Sequence, residues 1–180
     1  YNIDLRYDFF PKRNNGDMFS VTGYFKKLKS PIEQTQESSG GTVIRSFRNA
    51  EDGIATGVEI EFRKELFKNF RIGANGSYMY TNVVLPEGGV YTDSERALQG
   101  ASPFLINADL SYTPQLRGES DLTLALVYNV QGPRIETVGI YGTGNIKQQT
   151  LHTMDFIASY AINKHLSLRL QMKELLNSTI

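Results

Sequence analysis

The side chains that could carry out chemistry are few in this sequence, and they are widely separated. His152 and His165 are its two histidines, and the chain contains no cysteine. A zinc site needs several His, Cys or carboxylate ligands at defined spacing, and a nucleophilic serine needs a base beside it. Neither an HExxH nor a GxSxG pattern is present. We therefore predict exposed or interfacial histidines, and we expect no catalytic residue, no metal site and no cofactor.

Two other patterns could also indicate an enzyme. Glu59 and Glu61 lie two residues apart, and paired carboxylates can act as general acid and base. Our interpretation is that they line a water-filled interior or contact a domain inside it. The stretch GTGN at 142–145 lacks the strand and helix that flank a phosphate-binding glycine loop. An enzyme is therefore not expected.

The elements that position these residues are strands with alternating side chains. In the opening stretch YNIDLRYDFF the odd positions are aromatic or aliphatic, and most even positions are polar or charged. A period of two places the two sets on opposite faces of a β-strand. The same alternation predicts eight strands, at about 1–9, 18–29, 54–66, 70–84, 104–112, 122–130, 154–162 and 166–173.

The connections between these strands are alternately short and long. Short turns are predicted at PKRNNGD, where Asn15-Gly16 favours a hairpin, at LFKNF, at 114–120 and at NKH. Long polar loops without regular structure are predicted at 30–53, 85–102 and 131–150. This pattern is typical of an antiparallel up-and-down arrangement.

Composition leaves both a soluble and a membrane-embedded β-protein open. The chain has 180 residues, with Lys plus Arg and Asp plus Glu both at 19, so no net charge attracts nucleic acid. Mean hydropathy is -0.33, which suits a soluble protein and equally a barrel with half-polar strands. No stretch reaches the roughly 20 apolar residues of a spanning helix.

Strand length and charge placement favour the membrane. Several alternations persist for roughly 9 to 11 residues, the length of a transmembrane β-strand, and Tyr and Phe collect near the ends of the apolar faces. Arg or Lys on a lipid face costs about 2–4 kcal/mol at mid-depth. Charged residues must therefore face a wet lumen; these are Asp4, Arg6, Glu59, Glu61, Arg63 and Arg169. Because Tyr and Phe also favour strands in general, a complete small barrel or a soluble β-sandwich that acts as a binding module remains the alternative.

The loop pattern also gives a direction to each strand. In outer-membrane barrels the long loops are extracellular, so the first strand runs toward the periplasm and the eighth ends outside, at KELLNSTI. We expect one further descending strand after Ile180. The chain opens on Tyr1 without a Met or a signal segment, so we interpret residues 1–180 as part of a longer protein.

Several stretches resemble the C-terminal barrel of TonB-dependent outer-membrane receptors of Gram-negative bacteria. They are LQGASPFLINADLSYTP at 98–114, LVYNVQGPRI at 126–135, HTMDFIASYAINKHLSLRLQMKELLN at 152–177, and RSFRNAEDGIATGVEIEFRKEL at 45–66 with the loop before it. No single stretch is specific to this family, but together they cover most of the chain in the order in which the family has them. Glu174 departs from the pattern, which usually has Asn there.

The resemblance implies a barrel of about 22 strands closed by an N-terminal plug domain. These residues would then be about strands 14 to 21 of that barrel, without the plug and the last strand. Such receptors sit in the outer membrane and import iron chelates, cobalamin or glycans, with energy from a TonB complex that acts on the plug. The implied partners are outer-membrane lipid, the plug, TonB and the imported solute, and not nucleic acid.

The candidate ligand-binding residues lie in the long loops, because exposed loops on a rigid scaffold carry recognition. Tyr91 and Arg96 belong to the loop around SERALQG, and Tyr141 to the glycine-rich loop. The alternative is that these loops are mobile and make no ligand contact. A third class, an outer-membrane hydrolase, would need a histidine paired with a serine and an acid at the barrel surface.

Overall fold

The described part of the chain is built from β-strands. The computed structural model describes residues 1–11, 16–85, 90–91, 93–114, 116 and 120–177. Its strands are β1 (Asn2–Phe9), β2 (Met18–Lys29), β3 (Ile32–Ser39), β4 (Thr42–Asn49), β5 (Asp52–Phe67), β6 (Phe70–Val84), β7 (Glu95–Arg96), β8 (Phe104–Tyr112), β9 (Asp121–Gln131), β10 (Arg134–Gly139), β11 (Ile146–Gln148), β12 (Leu151–Ala161) and β13 (Ser167–Met172). Within the described ranges, no helix is long and apolar enough to cross a bilayer.

The eight strands predicted from alternation form one antiparallel sheet, which we call the wall. Its order is β1-β2-β5-β6-β8-β9-β12-β13, and the short β7 pairs with β6. Each strand lies beside the next predicted strand along the chain, so the up-and-down arrangement is confirmed. The strands β1 and β13 lie at opposite edges, and no pairing between them closes the wall within the residues described.

The turns between wall strands are tight where the structure describes them. Strands β5 and β6 are joined by Lys68 and Asn69, and Asn69 has a φ of 67°. The predicted Asn15-Gly16 turn involves residue 15, which lies outside the described residues. Most of the 114–120 turn and the last three residues of KELLNSTI lie outside them too.

The register confirms the predicted faces. Residues paired across antiparallel strands share a face: Arg6 lies opposite Thr22, and Thr22 lies opposite Glu59. This is the polar face. On the other face, which we call the apolar face, Ala74 lies opposite both Phe62 and Ala108.

The apolar face is not covered by protein in the described part of the chain. Leu5 is 78 % exposed, Tyr78 67 % and Leu168 58 %. A soluble sandwich would bury such side chains against a second sheet. The wall therefore has the exposed apolar surface that a lipid-embedded barrel requires, and the sandwich alternative does not describe it.

The long connections are not structureless, and this prediction was wrong. The segment 30–53 contains β3 and β4, which form a hairpin across Gly40 and Gly41 with φ values of 58° and 82°. Two residues with positive φ form the tight turn that matches strand twist. The segment 131–150 contains β10 and β11, and 85–102 contains β7. Alternation of apolar and polar side chains did not reveal these strands, because they are largely polar on both faces.

Strands β3, β4, β10 and β11 form a second, smaller sheet at the end of the wall where the long connections lie. Its order is β11-β10-β3-β4, and β10 pairs with β3 in parallel, with Val138 opposite Thr35. Sheet formation here joins the first and third long connections, which are far apart in sequence.

The main buried cluster forms where the first two long connections meet β6 of the wall. Ala50, Val83 and Leu85 are each at most 3 % exposed, and Tyr91 and Leu98 pack against them. Val83 belongs to the polar face of β6, because it lies opposite Gly53 in the same register as Ser77 and Glu59. The long connections therefore fold over the polar side of the wall, where a barrel has its lumen mouth.

The two faces predict opposite responses to an inserted charge. Ala108 lies at the centre of β8 on the apolar face, and its neighbour Asn107 lies on the polar face. In the full-length protein, Ala108→Arg should lower the free energy of unfolding by about 2–4 kcal/mol, because the arginine would face hydrocarbon at mid-depth. Urea titration of the protein refolded in lipid vesicles measures this.

The matched control is Asn107→Arg, which places the same side chain on the polar face of the same strand. It should lower stability by only about 1 kcal/mol, because it removes the hydrogen bond from Asn107 to Asn75 but keeps the charge out of lipid. Equal losses for the two variants would contradict the assignment of the faces.

Candidate functional site

The long connections meet at a buried ion pair. We call the segments 30–51, 85–103 and 132–150 loops A, B and C, and together the cap. Arg96 of loop B donates from Nη1 to Oε1 of Glu33 in loop A at 2.8 Å, and from Nη2 to Oε2 at 2.5 Å. The two side chains are only 5 % and 1 % exposed. This two-pronged geometry is the strongest form of the arginine–carboxylate contact.

Gln99 of loop B connects the same place to loop C. Its backbone N–H donates to Glu33 at 3.2 Å, and its side chain accepts from the N–H of Gln34 at 2.6 Å. Its Nε2 donates to the carbonyls of Gln34 at 3.1 Å and Glu136 at 2.6 Å. The side chain of Gln99 therefore contacts both β3 and β10.

Tyr91 lies beside the ion pair. The Arg96 guanidinium carbon is 6.0 Å from its ring centre, and its hydroxyl donates to the Asn49 carbonyl at 3.3 Å. Burial raises the pKa of Tyr91, and the negative charge of Glu33 raises it further. The fold therefore favours the neutral phenol.

Tyr141 occupies a different position from the other two predicted residues. It is 61 % exposed and has a φ of 54°. Its N–H donates to the carbonyl of Val90 at 2.7 Å, and the adjacent Ile140 forms a β-bridge with Tyr91. The cap thus brings Tyr91 and Arg96 into contact. The backbone of Tyr141 lies beside Tyr91, and the side chain of Tyr141 is exposed.

Sequence reasoning missed Glu33 and Gln99. Both lie in polar stretches without apolar alternation, which carry no signal of burial. The pairing of Glu33 with Arg96 joins residues 63 positions apart, and nothing in either local sequence indicates the other. The parallel pairing of β3 with β10 would have been needed to find it.

Two cavities border the cap. One of about 650 Å³ lies at the junction with the wall, and its lining includes Tyr78, Tyr80, Arg96, Arg134 and Lys147. Another of about 390 Å³ has Ile32, Phe47, Gln99 and Arg134 in its lining. The lining of the first cavity also includes Asp93 and Glu95, and its Tyr78 and Tyr80 belong to the apolar face of β6. Arg96 Nε is buried without a hydrogen-bond partner among the described residues.

The polar face of the wall carries a separate charged cluster. Arg6 contacts Asp8 at 2.8 Å and Glu61 at 3.2 Å, and Arg63 contacts Glu61 at 2.7 Å. Glu59 lines a cavity of about 370 Å³ with Arg6 and Glu61. These carboxylates face the open polar side rather than a closed, dry interior.

The two histidines belong to the wall, His152 in β12 and His165 in the turn before β13. Both are exposed. His152 shares a 2.8 Å hydrogen bond between Nδ1 and the Tyr128 hydroxyl, and the backbone N–H of His165 donates to Asn163 in a turn. In the described part of the chain, no group of His, Cys, Asp and Glu side chains could hold a metal ion.

An antiparallel wall with an exposed apolar face, a charged opposite face and folded loops at one end defines a segment of an outer-membrane β-barrel. The chain belongs to the family of TonB dependent receptor-like β-barrels, whose sequence model matches residues 1–175. The resemblance seen in the sequence is thereby confirmed.

A solved structure shows the same fold. The crystal structure of a mutant ferric enterobactin receptor from Pseudomonas aeruginosa matches with a TM-score of 0.65 and 18 % identity, over 97 % of this chain and 25 % of that one. The chain thus spans about a quarter of the length of that receptor. A comparison with curated protein sequences finds no match. The matched family and this structure are receptors rather than enzymes.

The raised pKa of Tyr91 gives a test of the cap geometry. Glu33→Gln should lower the pKa of Tyr91 toward the ordinary value of about 10, because one cause of the increase is the Glu33 charge. Burial, which raises the pKa of Tyr91, and the charges of Arg96 and Arg48, which lower it, remain in the variant. Carbon NMR of labelled tyrosine in the intact receptor measures the pKa, with Tyr91→Phe to assign the signal.

The sign for stability follows from the same pKa. The fold favours the neutral phenol, so this stabilisation is present below the unfolded pKa and is lost as pH rises through the raised pKa. Glu136→Gln is the control, since Glu136 is an exposed acid of the same cap. An unchanged Tyr91 pKa in Glu33→Gln would contradict the described contact.

Proposed function

We propose that this chain forms part of the wall and the external cap of a TonB-dependent importer, with an iron chelate as the imported solute. Membership in the receptor family supports import as the activity. The choice of an iron chelate over cobalamin or a glycan is supported by the fold shared with a ferric enterobactin receptor. The observation that carries the proposal is the folded cap over the polar side of the wall.

We further propose that residues 1–180 are a partial C-terminal portion of the barrel. The plug domain and the last strand belong to the rest of the protein, and the plug contacts the TonB complex. The open edges of β1 and β13 support this, because an exposed sheet edge inside a bilayer leaves backbone groups without partners. The protein then resides in the outer membrane, with lipid against the apolar face.

The polar face of the wall faces the plug in this proposal. Its carboxylates include Glu59 and Glu61, and the 370 Å³ cavity between them and Arg6 is open to that side. Charged groups in a wet lumen keep their hydration, or they pair with a charged partner at little desolvation cost. A plug with polar and basic residues on its surface fits such a wall.

The solute is bound by the cap, through Tyr91, Arg96 and Tyr141. The exposed ring of Tyr141 offers direct contact, and aromatic anchors contribute a large share of binding energy. Arg96 lines the 650 Å³ cavity, and its guanidinium is held in place there by Glu33.

The transport proposal is tested on the intact receptor in its own outer membrane. Cells that lack the receptor are compared with complemented cells for uptake of labelled ferric chelates, cobalamin and oligosaccharides. Restored uptake of a ferric chelate, abolished by deletion of TonB, is the expected result. Restored uptake of cobalamin or an oligosaccharide alone would refute the choice of solute, and uptake independent of TonB would refute the mechanism.

The role of Tyr141 gives a residue-level prediction. Tyr141→Ala should weaken chelate binding about tenfold, in the range expected for an exposed aromatic anchor, because its ring is the most accessible of the three predicted contacts. Equilibrium binding to TonB-deficient cells measures this without transport.

The control for Tyr141→Ala is His165→Ala, at an exposed turn on the opposite end of the wall. Its binding should equal that of the unaltered receptor. Unchanged binding in Tyr141→Ala would remove Tyr141 from the site.

A further inference from the structure

We propose that Glu33 and Gln99 are positioning residues that act through Arg96 to hold loops A, B and C as one recognition unit. The solute then meets a composite surface, and the cap moves as one body. The effect of this coupling on solute binding rests on the proposed import function. The coupling between the loops is independent of that function.

The first observation is the burial of the charges. Glu33 is 1 % and Arg96 9 % exposed as whole residues. An ion leaves water at high cost, and its partner compensates for that cost only while the contact is intact. If loop A or loop B moved alone, one of these charges would stay behind in a dry site. Independent motion of the two loops is therefore strongly disfavoured.

The second observation is the backbone connection of loop C to both other loops. Loop A pairs with loop C through the parallel β3 and β10, and Ile140 donates to the Gln36 carbonyl at 3.0 Å. Loop B joins loop C through Gly100, whose N–H donates to Ile135 at 2.9 Å. Loops A and C are thus joined by strand pairing, and loops B and C by main-chain bonds.

Among the described residues, the polar contacts between loops A and B involve side chains. They are the Glu33–Arg96 ion pair, the bonds of Gln99 to Glu33 and Gln34, and the Tyr91 hydroxyl bond to Asn49. Side chains can be removed one at a time without changing the backbone. The coupling of the three loops is therefore open to a direct mutational test.

The central test is hydrogen exchange of the full-length receptor in membrane vesicles without solute. In Arg96→Ala, Glu33 remains buried and unpaired. Amide exchange should then become faster by about 100-fold in β3 of loop A and β10 of loop C, as well as in loop B. The wall strands β8 and β9 should be unaffected. Faster exchange confined to loop B would overturn the proposal.

The matched control is Arg45→Ala, which removes an exposed arginine of β4 in the same cap. It should leave exchange of β3 and β10 within about twofold of the unaltered receptor, as expected for an exposed side chain. An equal effect of the two variants would show that the loss of any cap charge loosens the loops, and would refute the role of the ion pair.

A double variant tests whether the two residues act as a pair. Glu33→Ala combined with Arg96→Ala leaves neither charge unpaired, so exchange should be no faster than in Arg96→Ala alone. If exchange in the double variant were faster by the product of the two single-variant factors, the residues would act independently, and the pairing would be contradicted. Gln99→Ala is a milder variant, and it should still loosen loops A and C.

Folding and solute binding are measured separately. Heat-dependent migration in detergent gels reports whether each variant has an assembled barrel, and Gln99→Ala keeps the test decisive if a charge variant fails to assemble. In uptake measurements, Gln99→Ala, which removes no predicted solute contact, should raise the half-saturating concentration several-fold, with the maximal rate unchanged. Loop coupling without any change in half-saturation would refute the recognition role and leave the transport proposal intact.

Discussion

Each strand of the wall separates hydrocarbon from water, and the other features of the structure depend on this constraint. Backbone groups inside a bilayer must pair with neighbouring strands, which fixes the sheet. A shift of one residue would move every charge to the lipid side, which fixes the register. Arg6, Glu59 and Glu61 therefore share a face with Ser77, and Leu5 shares the other with Tyr78. The core of the molecule then forms elsewhere, in the cap.

The cap solves a different problem, because many of the side chains that it buries are polar. Its buried apolar residues include Ala50, Leu85, Ile135, Val138 and Ile140, and its buried polar residues include Glu33, Thr35, Gln36, Arg96 and Thr137. Specific polar contacts take the place of bulk burial: the Glu33–Arg96 pair, the bonds of Gln99 and the parallel strands. Such contacts stabilise only one arrangement of the loops, since a half-satisfied buried network is costly. A surface made from separate loops can thereby keep a defined shape.

The wall could be predicted from the sequence, and the cap could not. Eight strands follow from alternation, and β6 and β8 begin and end where the alternation does. In the cap, β3 reads IEQTQESS and β10 reads RIETVG, which offer no clear period of two. The predicted residues Tyr91 and Arg96 do meet, but the choice rested on loop position. Their contact arises from Glu33, and no local pattern links a glutamate to a partner 63 residues away.

The parallel pairing of β3 with β10 has a consequence for the order of assembly. Thr35 lies opposite Val138, and a contact between such distant segments carries a large loop-closure entropy in the unfolded chain. The wall strands next to these segments bring β3 and β10 together only once the sheet has formed, so we expect the second sheet to assemble late.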